Sequence, residues 1–318
     1  MTLTVPETDL IYIESLRECC DYVYDGDAMK HEPPPGVVFV HADNIQRFFR
    51  HCRRHPYIVV SGASDFSLFY QADHHPNTDL RRLANYLKWR DAAQVRDRYA
   101  AMTVGPACDP QSCDAWDRYS LKTFCWTKAT FPTIPANIKH WFIANTNIND
   151  DPRVEWIPFG LGSDKGSPHA EDKGKRGLLY ANFELHTDER AALLPYCASH
   201  PWITTIDRAN LHIERYWQDI AEHYFVMCPA GNGLDCYRTY ETLYLGSIPV
   251  MRRTPFAENF VRHGLPVLLV DSLFEMSPGL LENALKKMDG ETFCMEALKL
   301  SYWKQRIEDA RKLLEGCR

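Results

Sequence analysis

His223 to Val250 read HYFVMCPAGNGLDCYRTYETLYLGSIPV, an apolar run ending in two glycines around an asparagine, with an arginine and a glutamate three residues apart soon after. If HYFVMC is a parallel strand, Pro229 to Leu234 form the loop beyond its carboxyl end, and Asp235 opens a helix. In such a loop Gly231 and Gly233 let backbone N–H groups approach an anion, and the free N–H groups and dipole of the helix start favour negative charge. A diphosphate suits that place. Arg238, in the first turn, would add a bidentate phosphate contact. Glu241, one turn deeper on the same face, would accept hydrogen bonds from two neighbouring hydroxyls of a ribose. The opposing reading is a glycine turn, Asp235 as N-cap, and a surface Arg/Glu pair at helical spacing. GSIPV favours the nucleotide, because a proline-led apolar strand brings the chain straight back under the same place.

The elements that must hold this stretch follow a strand-helix alternation in both halves of the chain. Val37 to Val40 are a short apolar run, and Ile45, Phe48, Phe49 and Cys52 then fall at i, i+3, i+4, i+7 of an amphipathic helix. YIVVSG reads as a buried parallel strand, TDLRRLANYLKWRD as a helix, and KHWFIANTN and VEWIPFGLG as strands with polar or glycine ends. Trp141 and Trp156 fall in these last two and read as core. Ser163 to Arg176 have almost no apolar content and read as a linker. Beyond it come GLLYANF, a helix opening at Thr187, WITTID, a helix near LHIERYWQDIAEH, HYFVMC, the helix after Asp235, IPVMRR, PFAENFVRHG, LPVLLVD and SPGLLENALKKM. A terminal helix closes the chain. The pattern predicts an α/β protein with two open sheets, over residues 1–165 and 175–300, and a helix over 301–318 packing back across them.

With 318 residues the chain exceeds one ordinary core, and its net charge of -6 supplies no basic field for nucleic acid. No apolar stretch reaches the ~20 residues of a membrane span, and MTLTVPETDL lacks the plan of a signal peptide. A cytosolic protein and one trimmed of its anchor fit equally well. The 11 cysteines show no zinc-type spacing. Free thiols are the expectation, with a Cys108–Cys113 bridge as the minority alternative in an oxidising compartment.

The run from Cys228 to Val250 resembles the donor-site motif of the exostosin family of glycosyltransferases and the related ribitol xylosyltransferases: Pro-x-Gly-Asn-Gly, an Asp, Arg-x-x-Glu-x-Leu, then Gly-x-Ile-Pro-Val. LLYANFELHTDER and LPVLLVDSLFEMSPGLL echo the same family more weakly, so the similarity covers about 140 residues of the C-terminal half. It implies two Rossmann-like domains facing a cleft (the GT-B arrangement), with the nucleotide-sugar donor in the C-terminal domain and the acceptor in the N-terminal one. It also implies an inverting transfer to a carbohydrate acceptor with no catalytic metal and no cofactor beyond a UDP-sugar substrate, UDP-xylose first. Carried over by position, Arg238 holds the diphosphate, Glu241 the ribose, and the Gly231-Asn232-Gly233 backbone the phosphates or sugar. Ala230 departs from the pattern, standing where the family often has a basic residue. Arg190 or Arg252 would supply the missing contact.

Inversion needs a general base near the acceptor hydroxyl. Asp65, just past the strand in IVVSGASDFS, is the first candidate, and an N-cap is its bland alternative. His74 and His75 are the second choice, as base or acceptor ligands. His41 and Asn145, at other strand ends, complete the expected acceptor side. A metal-dependent glycosyltransferase using Asp25 and Asp27 is one alternative, and a nucleotide-sugar or glycan-binding module without turnover is another.

Overall fold

The computed structural model describes residues 5–12, 14–24, 31–41, 44–62, 134–146, 151–162, 166–185, 187–206, 212–231 and 233–315. Five strands lie parallel and in chain order in the first sheet: β1 (Tyr22–Tyr24), β2 (Gly36–His41), β3 (Tyr57–Gly62), β4 (Ile138–Ile143) and β5 (Val154–Trp156). Both faces of this sheet are covered, which is why VVFV and YIVV are continuous apolar runs rather than alternating ones. Val38, Val40, Val59 and Trp141 share one cluster with Ile45, Phe48 and Phe49 of α1 (Ile45–His51), buried at the spacing the sequence predicts. Val37, Phe39, Ile58, Val60 and Phe142 belong to the other face, and their cluster includes Trp303 and Ile307 near the chain's end.

The second sheet is built from β6 (Gly177–Tyr180), β7 (Ile203–Thr204), β8 (His223–Met227), β9 (Ile248–Arg252) and β10 (Leu268–Val270), all parallel, in the order β10-β9-β8-β6-β7. Its helices are α2 (Asp188–Ala198), α3 (Ile213–Ala221), α4 (Tyr237–Tyr244), α5 (Ala257–Arg262) and α6 (Pro278–Met288). Alternation along the strands sorts them by face. Leu179, Phe225, Met227 and Val250 pack with Leu193 and Cys197 of α2 and Leu281 of α6. Tyr180, Val226 and Met251 pack instead with Ile220, Tyr240, Leu243 and Phe260 of α3, α4 and α5. Local signals set the helix ends. Thr187 Oγ1 caps α2 by accepting from the Arg190 N–H, and Ser277 caps α6 ahead of Pro278. Gly246, at φ 72°, ends α4 with N–H bonds from Gly246 to Leu243 and from Ser247 to Thr242, a left-handed cap that glycine adopts without strain.

One apolar cluster runs through both sheets, so they share a core. The terminal helix α7 (Leu300–Glu315) returns to the first sheet and lies against β2, β3 and β4. Trp303 is fully buried, its ring edge-on to Trp156 at 5.8 Å and its Nε1–H donating to the Ala297 carbonyl. Arg306 grips Glu155 through Nε and Nη2 at 2.5 and 2.9 Å, and Arg311 reaches Asp21 at 2.6 Å. The chain's start is tied in as well. Ile11 donates its N–H to Tyr244 Oη and accepts from the Leu161 N–H, while Tyr244 donates to the Leu298 carbonyl. The strip from 166 to 176 holds no strand or helix. Among the described residues no helix is long and apolar enough to cross a membrane.

The placement of Trp303 gives the first testable outcome. Trp303→Ala lowers the unfolding free energy by about 3–5 kcal/mol in denaturant titrations, the scale of an aromatic-to-alanine core truncation. Lys312→Ala, which breaks an exposed i,i+3 pair with Asp309, leaves it unchanged within the error of the titration.

Candidate functional site

The chain leaves β6 toward β7 on one side, and β8 pairs on the other, Leu179 opposite Phe225 and Tyr180 opposite Val226. Strand order therefore reverses between β6 and β8, and the crevice beyond their carboxyl ends is where open α/β sheets bind ligands. Ala181 to Phe183 leave β6 at that edge, and the loop from Cys228 leaves β8 beside them. Arg238 spans the two. Its Nε donates to the Asn182 carbonyl at 2.9 Å, and its guanidinium carbon lies 5.9 Å from the centre of the Phe183 ring. Burial draws its pKa down, but Tyr216, Cys228, Cys236 and Glu241 outweigh that and raise it, so the group is a fixed cation.

Glu241 is 4% exposed and sits between α4 and α3. One carboxylate oxygen accepts from Tyr216 Oη at 3.0 Å and the other from Trp217 Nε1 at 3.4 Å. Each oxygen keeps a further lone pair for a hydroxyl donor. The sequence reading did not single out Tyr216 and Trp217. They lie 25 and 24 positions before Glu241, inside a helix where an apolar stripe already accounts for them. Burial and the Glu241 carboxylate both push the Tyr216 hydroxyl well above its usual pKa, so it remains a donor.

The loop itself differs from its expected use in one respect. The Gly231 N–H turns inward and donates to the Gly233 carbonyl at 2.9 Å, so it is not aimed at an anion. Glycine is needed at 231 for close approach instead. A Cβ there would lie 3.0 Å from Arg190 Nη2 and 3.1 Å from Cys236 Sγ. Arg190 supports the loop from beneath, Nε on the Ala230 carbonyl at 2.8 Å, Nη2 on Pro229 at 3.0 Å, and Nη1 on Glu184 at 3.3 Å. That geometry makes Arg190 a brace for the glycine loop. Glu189 beside it is 1% exposed, and burial raises its pKa against the pull of Arg252 and Arg190. Three arginines, 190, 238 and 252, thus gather around the carboxyl ends of β6, β8 and β9, a field suited to a diphosphate.

Asp235 is not the N-cap of α4. Cys236 holds that position, without a side-chain cap bond. The Asp235 carboxyl points to the other sheet, its Oδ2 accepting from the Phe159 N–H at 3.0 Å and from Tyr240 Oη at 2.6 Å. Its backbone N–H donates to Asn145 Oδ1 at 2.5 Å. Asn145, expected on the acceptor side, therefore spends its side-chain oxygen on the donor loop, and it holds a left-handed φ of 56° to do so. Among the described residues Asp235 Oδ1 has no hydrogen-bond partner. Burial pushes this carboxyl up to about 7, against the lowering effect of Tyr240 and the Phe159 N–H.

His41 ends β2 at the carboxyl edge of the first sheet, half-buried. Asp65, His74, His75, Asn232, Asp25, Asp27, Cys108 and Cys113 lie outside the described residues. The described cysteines, among them Cys197, Cys228 and Cys236, are free thiols. Among the described residues no group of His, Cys, Asp and Glu has the arrangement of a metal site. An apolar groove bordered by Tyr224, Ile248, Pro266 and Phe293 lies at the amino edge of the second sheet, and neither Arg238 nor Glu241 lines it.

Two parallel sheets facing each other by their carboxyl edges, with a charged crevice at the switch point of the second, have the GT-B-type arrangement of two Rossmann-like domains. Residues 196–265 match the family model described as the RXYLT1 C-terminal domain, a span that contains the whole glycine loop, Arg238 and Glu241. The match covers less than a quarter of the chain. No curated protein matches the chain. Among solved structures, one titled as the glycotransferase of kitacinnamycin is similar at 14% identity, with 88% of this chain and 72% of that one covered and a TM-score of 0.31.

The Asp235 carboxyl has a consequence for stability. Its native pKa of about 7 lies above the ~3.9 of an unfolded aspartate, so between those values the folded protein binds more protons. Its contribution is complete below about pH 4 and is lost as the pH rises through about 7. Thermal melts of Asp235→Asn, whose side chain is neutral throughout, lack this loss, so the parent-minus-variant difference in stability falls from pH 5 to pH 8. A difference that stays level across that range means the carboxyl does not titrate there.

Proposed function

We propose that the protein moves a sugar, xylose first, from a UDP-sugar to a carbohydrate hydroxyl, with inversion and without a catalytic metal. The observation that carries this reading is the Arg238–Glu241 pair on α4, set across the switch point with the guanidinium over the end of β6 and the carboxylate one turn deeper. Arg238 takes the diphosphate, and Glu241 takes the ribose hydroxyls. The xylosyl and uridyl parts rest on the likeness of the motif to the ribitol xylosyltransferases and on the family model covering it.

The chemistry needs three events in one cleft. A base removes the proton of the acceptor hydroxyl, that oxygen attacks the anomeric carbon, and UDP leaves from the opposite face of the sugar. Arg238 receives the charge that develops on the leaving diphosphate, in a site too dry for water to do so. Arg190 keeps the loop in place beneath it. The base belongs to the first sheet's carboxyl edge, where Asp65 follows β3. His41, at the end of β2 on the same edge, stands on the acceptor side, with His74 and His75 as further acceptor or base candidates.

Screening nucleotide sugars for release of UDP identifies the donor, and UDP-xylose is expected to give the fastest turnover. Arg238→Ala and Glu241→Gln each weaken UDP binding roughly 10- to 100-fold, the loss of one or two charged hydrogen bonds, by calorimetry. Asp65→Asn leaves UDP affinity intact and slows transfer about 10²- to 10⁴-fold. Transfer that stops in EDTA and resumes with manganese would exclude the metal-free mechanism, and UDP-sugar binding without any turnover would leave a binding module.

A further inference from the structure

Two hydrogen bonds from the strand ends of the first sheet meet at one residue of the donor loop, Asp235. The Phe159 N–H, three residues beyond β5, is bonded to the Asp235 carboxylate and also lies 3.0 Å from Tyr240 Oη. Asn145, two residues beyond β4, accepts the Asp235 N–H. Asp235 follows Leu234 at the loop's end and precedes the first turn of α4, so whatever holds Asp235 holds the helix start that carries Arg238. Asn145 and Asp235 are 3% and 5% exposed, so neither bond has water to replace it. The Phe159 ring lies 5.1 Å from Tyr237, which fixes the same helix turn by packing.

We propose that Asn145 is a positioning residue for the donor: from the first sheet it sets the donor loop and the start of α4 through the Asp235 N–H. This rests on the reading of α4 as the nucleotide-diphosphate site, and it moves Asn145 from the acceptor's ligands to the donor's support. The consequence is a link between the two sheets. Displacement of the β4 end by an acceptor or by a substitution shifts the loop that faces the diphosphate, because one short bond joins them.

Asn145→Gly is the variant of choice, since glycine adopts a φ of 56° without strain and the side-chain amide that supplies the acceptor oxygen is removed. Two measurements follow. Amide exchange in the absence of nucleotide is expected to be at least tenfold faster in a peptide covering Leu234 to Tyr237. UDP affinity is expected to fall at least fivefold, with the donor KM raised more than kcat is lowered. Ile307→Ala, a core truncation in α7, serves as the control for general destabilisation, and it is expected to leave exchange in this peptide near the parent's rate. Combined with Tyr240→Phe, which removes a second support of Asp235 and leaves the Phe159 N–H, the losses in UDP affinity are expected to be less than additive.

Unchanged exchange in Asn145→Gly overturns the proposal whatever UDP does. Faster exchange with unchanged UDP affinity overturns it too, because the loop then moves without consequence for the donor. A rise confined to the acceptor KM returns Asn145 to the acceptor side. If the parent protein binds no UDP or UDP-sugar, the nucleotide reading itself fails, and the exchange result alone still decides whether Asn145 sets the loop.

Discussion

A buried carboxyl that accepts bonds from both sheets is the constraint on which the site depends. Asp235 sits between the end of the glycine loop and the start of α4, and its oxygen answers a backbone N–H of the first sheet while its own N–H answers Asn145. Neither sheet alone would satisfy these groups. A buried polar group left unmatched costs about 1–3 kcal/mol, so the two sheets have few relative positions open to them that leave all of these groups bonded. The donor crevice inherits that restriction. Arg238 and Glu241 lie on the helix that Asp235 precedes, and the carboxyl edge of the first sheet is therefore set relative to that helix by hydrogen bonds as well as by apolar packing.

The charges around the crevice are arranged at two depths. Arg190 is buried and spends its guanidinium on three carbonyls, so it shapes the loop and has little left for a ligand. Arg238 is only partly committed, with one bond to a backbone carbonyl among the described residues, and it retains donors for an anion. Desolvation makes each of these cations costly when the site is empty, and a bound diphosphate would remove that cost. A similar logic applies to Glu241, whose carboxylate is held by Tyr216 and Trp217 from α3 and is thereby fixed in orientation before any hydroxyl arrives.

The rest of the fold serves to keep the two sheets together. α7 crosses back to cover the face of the first sheet that α1 leaves open, so the last helix in the chain completes the first domain's core. Trp156 stands at the junction, near both Phe260 of α5 and Trp303 of α7. Tyr244 at the end of α4 bonds Ile11 and Leu298 at once, which links the beginning of the chain, the donor helix and the approach to α7. These contacts join residues up to 233 positions apart and tie the two sheets into one packed core.

The described strands and helices were largely legible in the sequence, because apolar runs bounded by glycine and polar residues report burial on two faces directly; the helix expected over TDLRRLANYLKWRD lies outside the described residues. β1 was not foreseen, being only three residues at a sheet edge, too short to carry a pattern. The motif was legible as well: Arg238 and Glu241 share one helix face because their spacing is three, and no tertiary contact is needed to know it. What the spacing could not determine was the use of the neighbouring groups. Gly231 was read as an anion cradle, yet its N–H closes on Gly233 and its missing Cβ makes room for Arg190. Asp235 was read as a cap, yet its carboxyl leaves the helix for Phe159. Asn145 was read as an acceptor ligand, yet it bonds the donor loop. In each case the partner lies 2 to 90 positions away along the chain, and side-chain direction depends on which backbone groups the packed sheets leave unsatisfied. The sequence by itself determined which residues stand at the strand ends. Only the tertiary structure decided which of them turn toward a ligand and which turn toward each other, because buried donors and acceptors must be matched in space before any remain for a substrate.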